Sequence, residues 1–307
     1  MPDRRLRLVR LGLGLAVTAW LGVAIWRNWA EVRAQPLTWS LNPGGVVLSA
    51  VLVWAMYAIL IVAWRATLAG WGQRLGAWEA ARIWTVSSLG KYVPGKVWAI
   101  AGMALMAREA GVAPWAATAS AVIMQALAIG TGALVAGAAG SQALESAHPG
   151  ATAALWTLTA LSAIGVGLLA WPPLVRRLVR AAAGVAAQDS LAAGPVLLGL
   201  GANLVAWLGY GVALWILARA TLPGAGLSLE VAIGSFAASY VAGLLILFAP
   251  GGLGVREGVF VLMVQGSLGW GGAAALAVAS RLLLTLTELG AALPFLLLRR
   301  GSLRVGT

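Results

Sequence analysis

Long runs of apolar residues dominate the chain, and short polar segments separate them. Six of these runs have about the length that an α-helix needs to cross a hydrocarbon core, which is ~20 residues. They lie at 10–26, 45–64, 115–139, 151–171, 195–218 and 273–297. The pattern therefore predicts an all-α, polytopic membrane protein with six full spans.

Two further apolar segments, 78–108 and 231–268, are broken near their middle by proline and glycine. Proline removes a backbone donor and disfavours helix in the residue before it, and glycine permits the tight turn that must follow. Each segment is therefore predicted to be two short helices joined by a turn. The predicted turn residues are Pro94, Gly95, Pro250, Gly251, Gly252 and Gly254.

The helices that follow the two turns are short. Segments 96–108 and 255–268 hold 13 and 14 residues. At ~1.5 Å per residue each reaches about 20 Å, whereas the hydrocarbon core is about 30 Å thick. We therefore expect re-entrant hairpins that enter and leave the membrane on one side. Full crossings remain the alternative, because both arrangements leave the two termini on the same side.

The order of these elements divides the single transmembrane domain, 1–307, into two halves. Residues 10–139 and 151–297 each contain two spans, one broken segment and one further span, with opposite predicted orientations. The turn prolines, Pro94 and Pro250, lie 156 positions apart. Inverted repeats with broken helices in matching positions are typical of transporters in which the site lies where the halves meet.

Composition and charge agree with a membrane location. The chain has 307 residues, of which 61% are hydrophobic and 10% charged, and its mean hydropathy is +0.90. Soluble globular domains carry about 25% charged residues, so the composition excludes a soluble globular domain. In the predicted topology sixteen of the 21 basic residues face the cytoplasm and four face outside. This positive-inside bias predicts a plasma (inner) membrane protein with both termini cytoplasmic, and it explains the net charge of +12 without a nucleic-acid partner.

The sequence around both turns is similar to a known family. Residues 90–98 read G-K-Y-V-P-G-K-V-W, residues 108–111 read R-E-A-G, and residues 250–258 read P-G-G-L-G-V-R-E-G. These motifs resemble the transmembrane region of lysylphosphatidylglycerol synthases and the stand-alone, flippase-like integral membrane proteins related to it. The resemblance covers about residues 10 to 300. It implies movement of lipid between leaflets, and because the chain ends at Thr307 without a synthase domain, we expect no aminoacyl transfer.

Charged residues at the turns and inside the last span are candidates for binding a lipid headgroup. Helix N-termini attract anions, and Lys96 and Arg256 lie beside the two that follow the turns. The alternative is that Lys91 and Lys96 only extend to cytoplasmic headgroups. The six candidate substrate-binding residues are Lys91, Lys96, Arg256, Glu257, Arg281 and Glu288.

Arg281 is the most informative of these, because a charge within a span faces a cavity or a partner. Glu288 lies seven residues further on, two turns along the same face and about 10 Å away. The two side chains could flank a zwitterionic headgroup. Alternatively they only fix helix packing, by pairing Glu288 with Lys96 or Arg281 with Gln125. We expect Tyr92 to be an interfacial anchor, and Gln125 and Asn203 to make interhelical hydrogen bonds.

Candidate catalytic chemistry is sparse. The chain has no cysteine and one histidine, and it lacks a Gly-rich nucleotide-binding loop, so we expect no metal, no cofactor and no enzymatic activity. The sequence favours a lipid translocase whose partners are membrane lipids. The alternative is a non-transporting membrane partner of a glycosyltransferase or of a cell-envelope lipid synthase.

Overall fold

The computed structural model of the protein describes residues 40–92, 97–147, 149–169, 193–224, 226–246 and 250–297, together with residues 171 and 177. This part of the chain is all-helical. Its eight helices are α1 (Pro43–Ala69), α2 (Ala77–Ser88), α3 (Val97–Glu109), α4 (Pro114–Ala147), α5 (Pro149–Leu169), α6 (Ala193–Thr221), α7 (Leu229–Leu245) and α8 (Val255–Leu297). The predicted all-α class is confirmed.

Four of these helices are long and apolar enough to cross a membrane, judged by length and composition. The qualifying stretches are Pro43–Ala69, Pro114–Ser141, Gly194–Thr221 and Val255–Leu297. Shorter apolar stretches lie in α5 and α7. The helices match the predicted runs closely, except that the run at 10–26 lies outside the described residues.

Both predicted interruptions are real breaks in the helices. After α2 the chain forms a 3₁₀ turn over Leu89–Tyr92, and α3 begins at Val97. After α7 a second 3₁₀ turn covers Pro250–Gly252, ahead of α8. Gly251, Gly252 and Gly254 all have positive φ angles, of 56°, 71° and 82°. Because residues other than glycine rarely adopt a positive φ angle, the turn depends on these glycines.

Helix α8 is divided by a third glycine-dependent kink. Gly269 has φ 66° and ψ 167°, a region of backbone space that is essentially restricted to glycine. The kink separates an arm at 255–268 from a longer helix at 270–297. The sequence pattern placed the arm and the last span at these positions.

The two outer ends of the α2–α3 segment lie side by side. The Ala113 amide, just after α3, donates a hydrogen bond of 2.9 Å to Gln73 Oε1, just before α2. The rings of Trp71 and Trp115 pack 5.6 Å apart at the same place. The segment therefore starts and finishes at one end of the bundle, which is the end that α1 reaches at Ala69.

The α7–α8 segment is arranged in the same way at the opposite end of α1. A Cβ atom on Gly226, before α7, would lie 3.9 Å from the Ser267 carbonyl at the end of the α8 arm. The Asn42 amide, before α1, donates to the Ala220 carbonyl over 2.9 Å. Helix α1 has 27 residues and is about 40 Å long, so the two broken segments open at opposite ends of the bundle.

Close helix contacts fix this arrangement. Helix α1 packs along α6, α4 packs against α5 and α7, and α8 packs against α2. The backbones of α4 and α7 approach closely, so that a Cβ atom on Gly234 would lie 2.5 Å from the Ala139 carbonyl carbon. Two separate clusters of buried apolar residues result, one beside each broken segment.

The outer surface is apolar. On α8 exposed large side chains recur every three or four residues, and they are 48–65% exposed, at Val278, Leu282, Leu286, Leu289 and Leu293. Apolar faces of this extent mark contact with a membrane or a partner. Together with the four long apolar helices, this surface is consistent with a membrane protein.

We predict that Gly234→Ala destabilises the protein. The added methyl group would meet the α4 backbone, and such overpacking costs about 1–3 kcal/mol. The thermal unfolding temperature in detergent should fall. Gly201→Ala is the matched control, since a Cβ atom there meets nothing within 4 Å, and it should leave the temperature unchanged or raise it slightly. Equal behaviour of both variants would contradict the α4–α7 packing.

Candidate functional site

The turns of the two broken segments meet inside the bundle. A Cβ atom on Gly251, in the second turn, would lie 3.5 Å from a ring carbon of Tyr92 in the first turn and 3.0 Å from Arg281 Nη2. Two stretches of irregular backbone, one from each half of the chain, are therefore in contact. Backbone of this kind is tolerated at membrane depth where protein buries it or where it lines a water-filled cavity.

Arg281 fixes the second turn. Its Nη1 atom donates hydrogen bonds of 2.9 Å to the Gly251 carbonyl and to Glu257 Oε1. The other oxygen of Glu257 accepts a 2.7 Å hydrogen bond from the Gly254 amide. Glu257 therefore closes the first turn of α8, as the acidic residue of a capping box does, while it neutralises Arg281.

Glu288 fixes the first turn in the same manner. The Lys91 ammonium donates to Glu288 Oε1 in an ion pair. The Tyr92 hydroxyl donates to Glu288 Oε2 over 2.7 Å and lies 3.3 Å from the Thr285 hydroxyl. Because Arg281 and Glu288 lie two turns apart on one helix, α8 holds both turns at once.

A cavity of about 290 Å³ surrounds this contact. Seven of the eight described helices contribute to its walls, and α5 is the exception. Its charged or amide-bearing lining residues are Lys91, Gln125, Asn203, Arg256, Arg281 and Glu288. The cavity therefore lies between the two halves of the chain and between the two apolar clusters.

The charged groups that form the pairs are largely shielded from solvent. The side chains of Glu288, Glu257 and Arg281 are 8%, 16% and 17% exposed, and that of Lys91 is 28% exposed. Isolated charges in such surroundings are costly, so pairing and hydrogen bonding are needed to retain them.

Arg256 is different, because no carboxylate within the described part of the chain pairs with it. Its guanidinium carbon lies 4.5 Å from the ring centre of Tyr240 and 5.2 Å from that of Phe236. These contacts are cation–π interactions, and they leave the N–H donors of the guanidinium without an acceptor among the described residues.

An aromatic cluster packs around Arg256, and three of its members, Trp207, Tyr210 and Tyr240, line the cavity. Trp207, Tyr210, Phe236 and Tyr240 pack with ring centres 5.5–6.4 Å apart. The sequence analysis did not identify this cluster. The spacings 207/210 and 236/240 place each pair on one helix face, but that spacing is equally typical of an ordinary core.

The predicted site residues divide into three groups. Four of them line the cavity, namely Lys91, Arg256, Arg281 and Glu288. Glu257 forms an ion pair with Arg281. Three more belong to the second turn, namely Gly251, Gly252 and Gly254, and Pro250 begins it. The remaining predictions, Pro94, Gly95 and Lys96, lie outside the described residues.

The alternative in which Arg281 pairs with Gln125 was wrong, since Arg281 pairs with Glu257. Glu288 pairs with Lys91, and Lys96, the partner considered for it, lies outside the described residues. Tyr92 is not an interfacial anchor, since it donates to Glu288 inside the bundle. The Asn203 amide donates to Gly199 in its own helix and not to a neighbouring helix.

Comparison with known proteins adds no family assignment. A scan against protein-family models finds no match, and a search of curated proteins finds none either. The resemblance to the flippase-like family therefore stays a prediction that is based on the motifs at the two turns.

We predict that Glu288→Gln strongly destabilises the protein. The substitution leaves the Lys91 charge largely buried without its partner, and breaking such a pair costs about 3–5 kcal/mol. Replacing both partners, in Lys91→Met with Glu288→Leu, should be less damaging than Glu288→Gln alone. Thermal unfolding in detergent measures both effects.

Glu79→Gln is the matched control for this experiment. It breaks the Arg82–Glu79 pair, in which the glutamate side chain is 44% exposed. Exposed pairs contribute about 0–1 kcal/mol, so the unfolding temperature should hardly change. If Glu288→Gln were as mild as this control, the Lys91–Glu288 pair would not hold the first turn.

Proposed function

We propose that the protein is a lipid translocase of the inner membrane, which passes a polar headgroup through the cavity while the acyl chains stay in the bilayer. The observation that carries this proposal is the charged cavity at the contact of the two turns. Ionisable residues within an apolar bundle are costly and usually mark a substrate or ion pathway. The motifs that resemble flippase-like proteins support the same function.

The size of the cavity suits a headgroup better than a whole lipid. Ligand pockets measure roughly 300–1,000 Å³, and this cavity, at about 290 Å³, is at the lower end of that range. Acyl chains would have to remain against the exposed apolar faces of the outer helices. The proposed mechanism therefore moves only the polar group through the protein.

The proposed architecture is an inverted repeat with two re-entrant hairpins that enter from opposite sides. The side-by-side ends of each broken segment support it, as does their separation along α1. The positive-inside bias orients the assembly, so that the α2–α3 hairpin opens to the cytoplasm and the α7–α8 hairpin opens outside. Substrate sites where such repeats meet are known from transporters.

Single-cysteine labelling tests this architecture, because the natural chain has no cysteine. Cysteines at Gly76 and Pro114, on either side of the α2–α3 segment, should both react with an impermeant reagent from the cytoplasm. Cysteines at Pro223 and Ser267, on either side of the α7–α8 segment, should both react from outside. All four positions are exposed. If the two members of either pair reacted from opposite sides, the segment would cross the membrane and the hairpin arrangement would be wrong.

Reconstitution into lipid vesicles tests the translocase activity. Fluorescent anionic and zwitterionic phospholipids should change leaflets faster in vesicles with the protein than in vesicles without it. Ala121→Phe places a ring on the cavity wall without removing a charge, and it should reduce the rate to nearly that of protein-free vesicles. Ala160→Phe, at an exposed position of α5, is the control and should leave the rate unchanged.

The result that would overturn the proposal is the absence of protein-dependent movement for every lipid tested. Lipid movement no faster than in protein-free vesicles, combined with co-purification of a glycosyltransferase or a lipid synthase, would instead favour the partner role. A rate that Ala121→Phe does not alter would show that lipids move elsewhere than through this cavity.

A further inference from the structure

The cavity has an uneven balance of charge, and this balance bears on which headgroup the proposed translocase accepts. Among the described residues three cations, Lys91, Arg256 and Arg281, accompany two carboxylates, Glu257 and Glu288. The pairs Lys91–Glu288 and Arg281–Glu257 cancel. One positive charge therefore remains, and it belongs to Arg256.

Each oxygen of both carboxylates already accepts a hydrogen bond from the protein. Glu288 accepts from Lys91 with one oxygen and from Tyr92 with the other. Glu257 accepts from Arg281 and from the Gly254 amide. A substrate ammonium group would have to share a carboxylate with Lys91 or Arg281, and it would enter a space that already contains three cations.

Arg256 offers the opposite environment. Its guanidinium rests on the rings of Tyr240 and Phe236, which stabilise the charge without using its five N–H donors. The Tyr210 and Tyr240 hydroxyls also line the cavity and make no hydrogen bond within the described part of the chain. These groups are donors that suit the oxygens of a phosphate ester, and guanidinium binds such oxygens in pairs.

The two aromatic rings nearest to Arg256 already hold a cation. Arg256 lies over the rings of Phe236 and Tyr240, and Trp207 packs against Tyr240 at a centroid distance of 5.6 Å. A substrate ammonium group at these rings would therefore lie beside the like charge of Arg256.

We propose that Arg256 is the binding site for a singly charged phosphodiester, and that the cavity prefers headgroups of net negative charge to zwitterionic ones. This inference rests on the proposed function and narrows its substrate class. The shared chemistry is a phosphodiester anion, which a lipid headgroup or a water-soluble glycerophosphodiester could supply.

Binding to the intact protein in neutral detergent tests the preference directly. Short-chain phosphatidylglycerol is the anionic probe, short-chain phosphatidylcholine is the zwitterionic probe, and glycerophosphoglycerol is the probe without acyl chains. Phosphatidylglycerol should bind at least about tenfold more tightly than phosphatidylcholine, a difference of about 1.4 kcal/mol. Both lipids present the phosphodiester, but only phosphatidylcholine adds a second cation close to the positive charge of Arg256. This comparison needs no variant, so it stands even if a substitution at Arg256 impairs folding.

Variants then assign the preference to Arg256. Arg256→Gln should lose the preference for phosphatidylglycerol over phosphatidylcholine. Arg256→Lys should keep a weaker preference, because lysine retains the charge without the paired donors. Arg219→Gln is the matched control, since Arg219 also lies over an aromatic ring, that of Trp215 at 4.0 Å, but does not line the cavity. It should bind both lipids as the natural protein does.

The outcomes separate this inference from the proposed function. Equal binding of the two lipids, or a preference that survives in Arg256→Gln, would overturn the anion site while leaving lipid movement possible. Preferential binding without any lipid movement in vesicles would overturn the translocase and leave the anion site. If glycerophosphoglycerol binds as tightly as the lipid, the phosphodiester alone is recognised; if only the lipid binds, the acyl chains contribute as well. Both results support the site.

Discussion

The attachment of both turns to one helix is the constraint on which the rest of the structure depends. Arg281 holds the second turn and Glu288 holds the first, and the two residues lie on the same face of α8. A turn that lacks helical hydrogen bonds needs outside partners for its backbone and side chains. Here the charged residues supply them, and the cavity lies where the two sets of contacts meet.

The pairing also explains how several charged side chains are retained inside a bundle that contains few charged residues. Replacing a buried ion pair by apolar residues is often neutral, whereas removing one partner is strongly destabilising. The pairs are therefore weak evidence for stability, but they specify one arrangement of the two turns. The polar contacts lie between the two apolar clusters and border a cavity instead of a filled core.

Much of the fold follows from the sequence, because length and apolar character fix a membrane helix and Pro-Gly runs break it. Gly251, Gly252 and Gly254 were predictable as a turn, and Arg281 as a residue that needs a polar neighbour. Their partners were not predictable. Lys91 reaches Glu288 because of the bend at the first turn, and Glu257 reaches Arg281 because α8 bends at Gly269. A one-dimensional pattern does not contain these bends. The aromatic wall around Arg256 was missed because helical spacing of aromatic residues is also that of a core.

The contrast between the paired and the unpaired cations assigns them different roles. Lys91 and Arg281 each have a carboxylate, and their charges are consumed in holding the turns. Arg256 has aromatic faces instead, which make its burial tolerable but leave its hydrogen-bonding capacity unused. A cavity in which every charge was paired would be more stable and would have little to offer an anion. Arg256, which has no carboxylate partner among the described residues, is therefore the residue that best explains how this cavity would bind an anion.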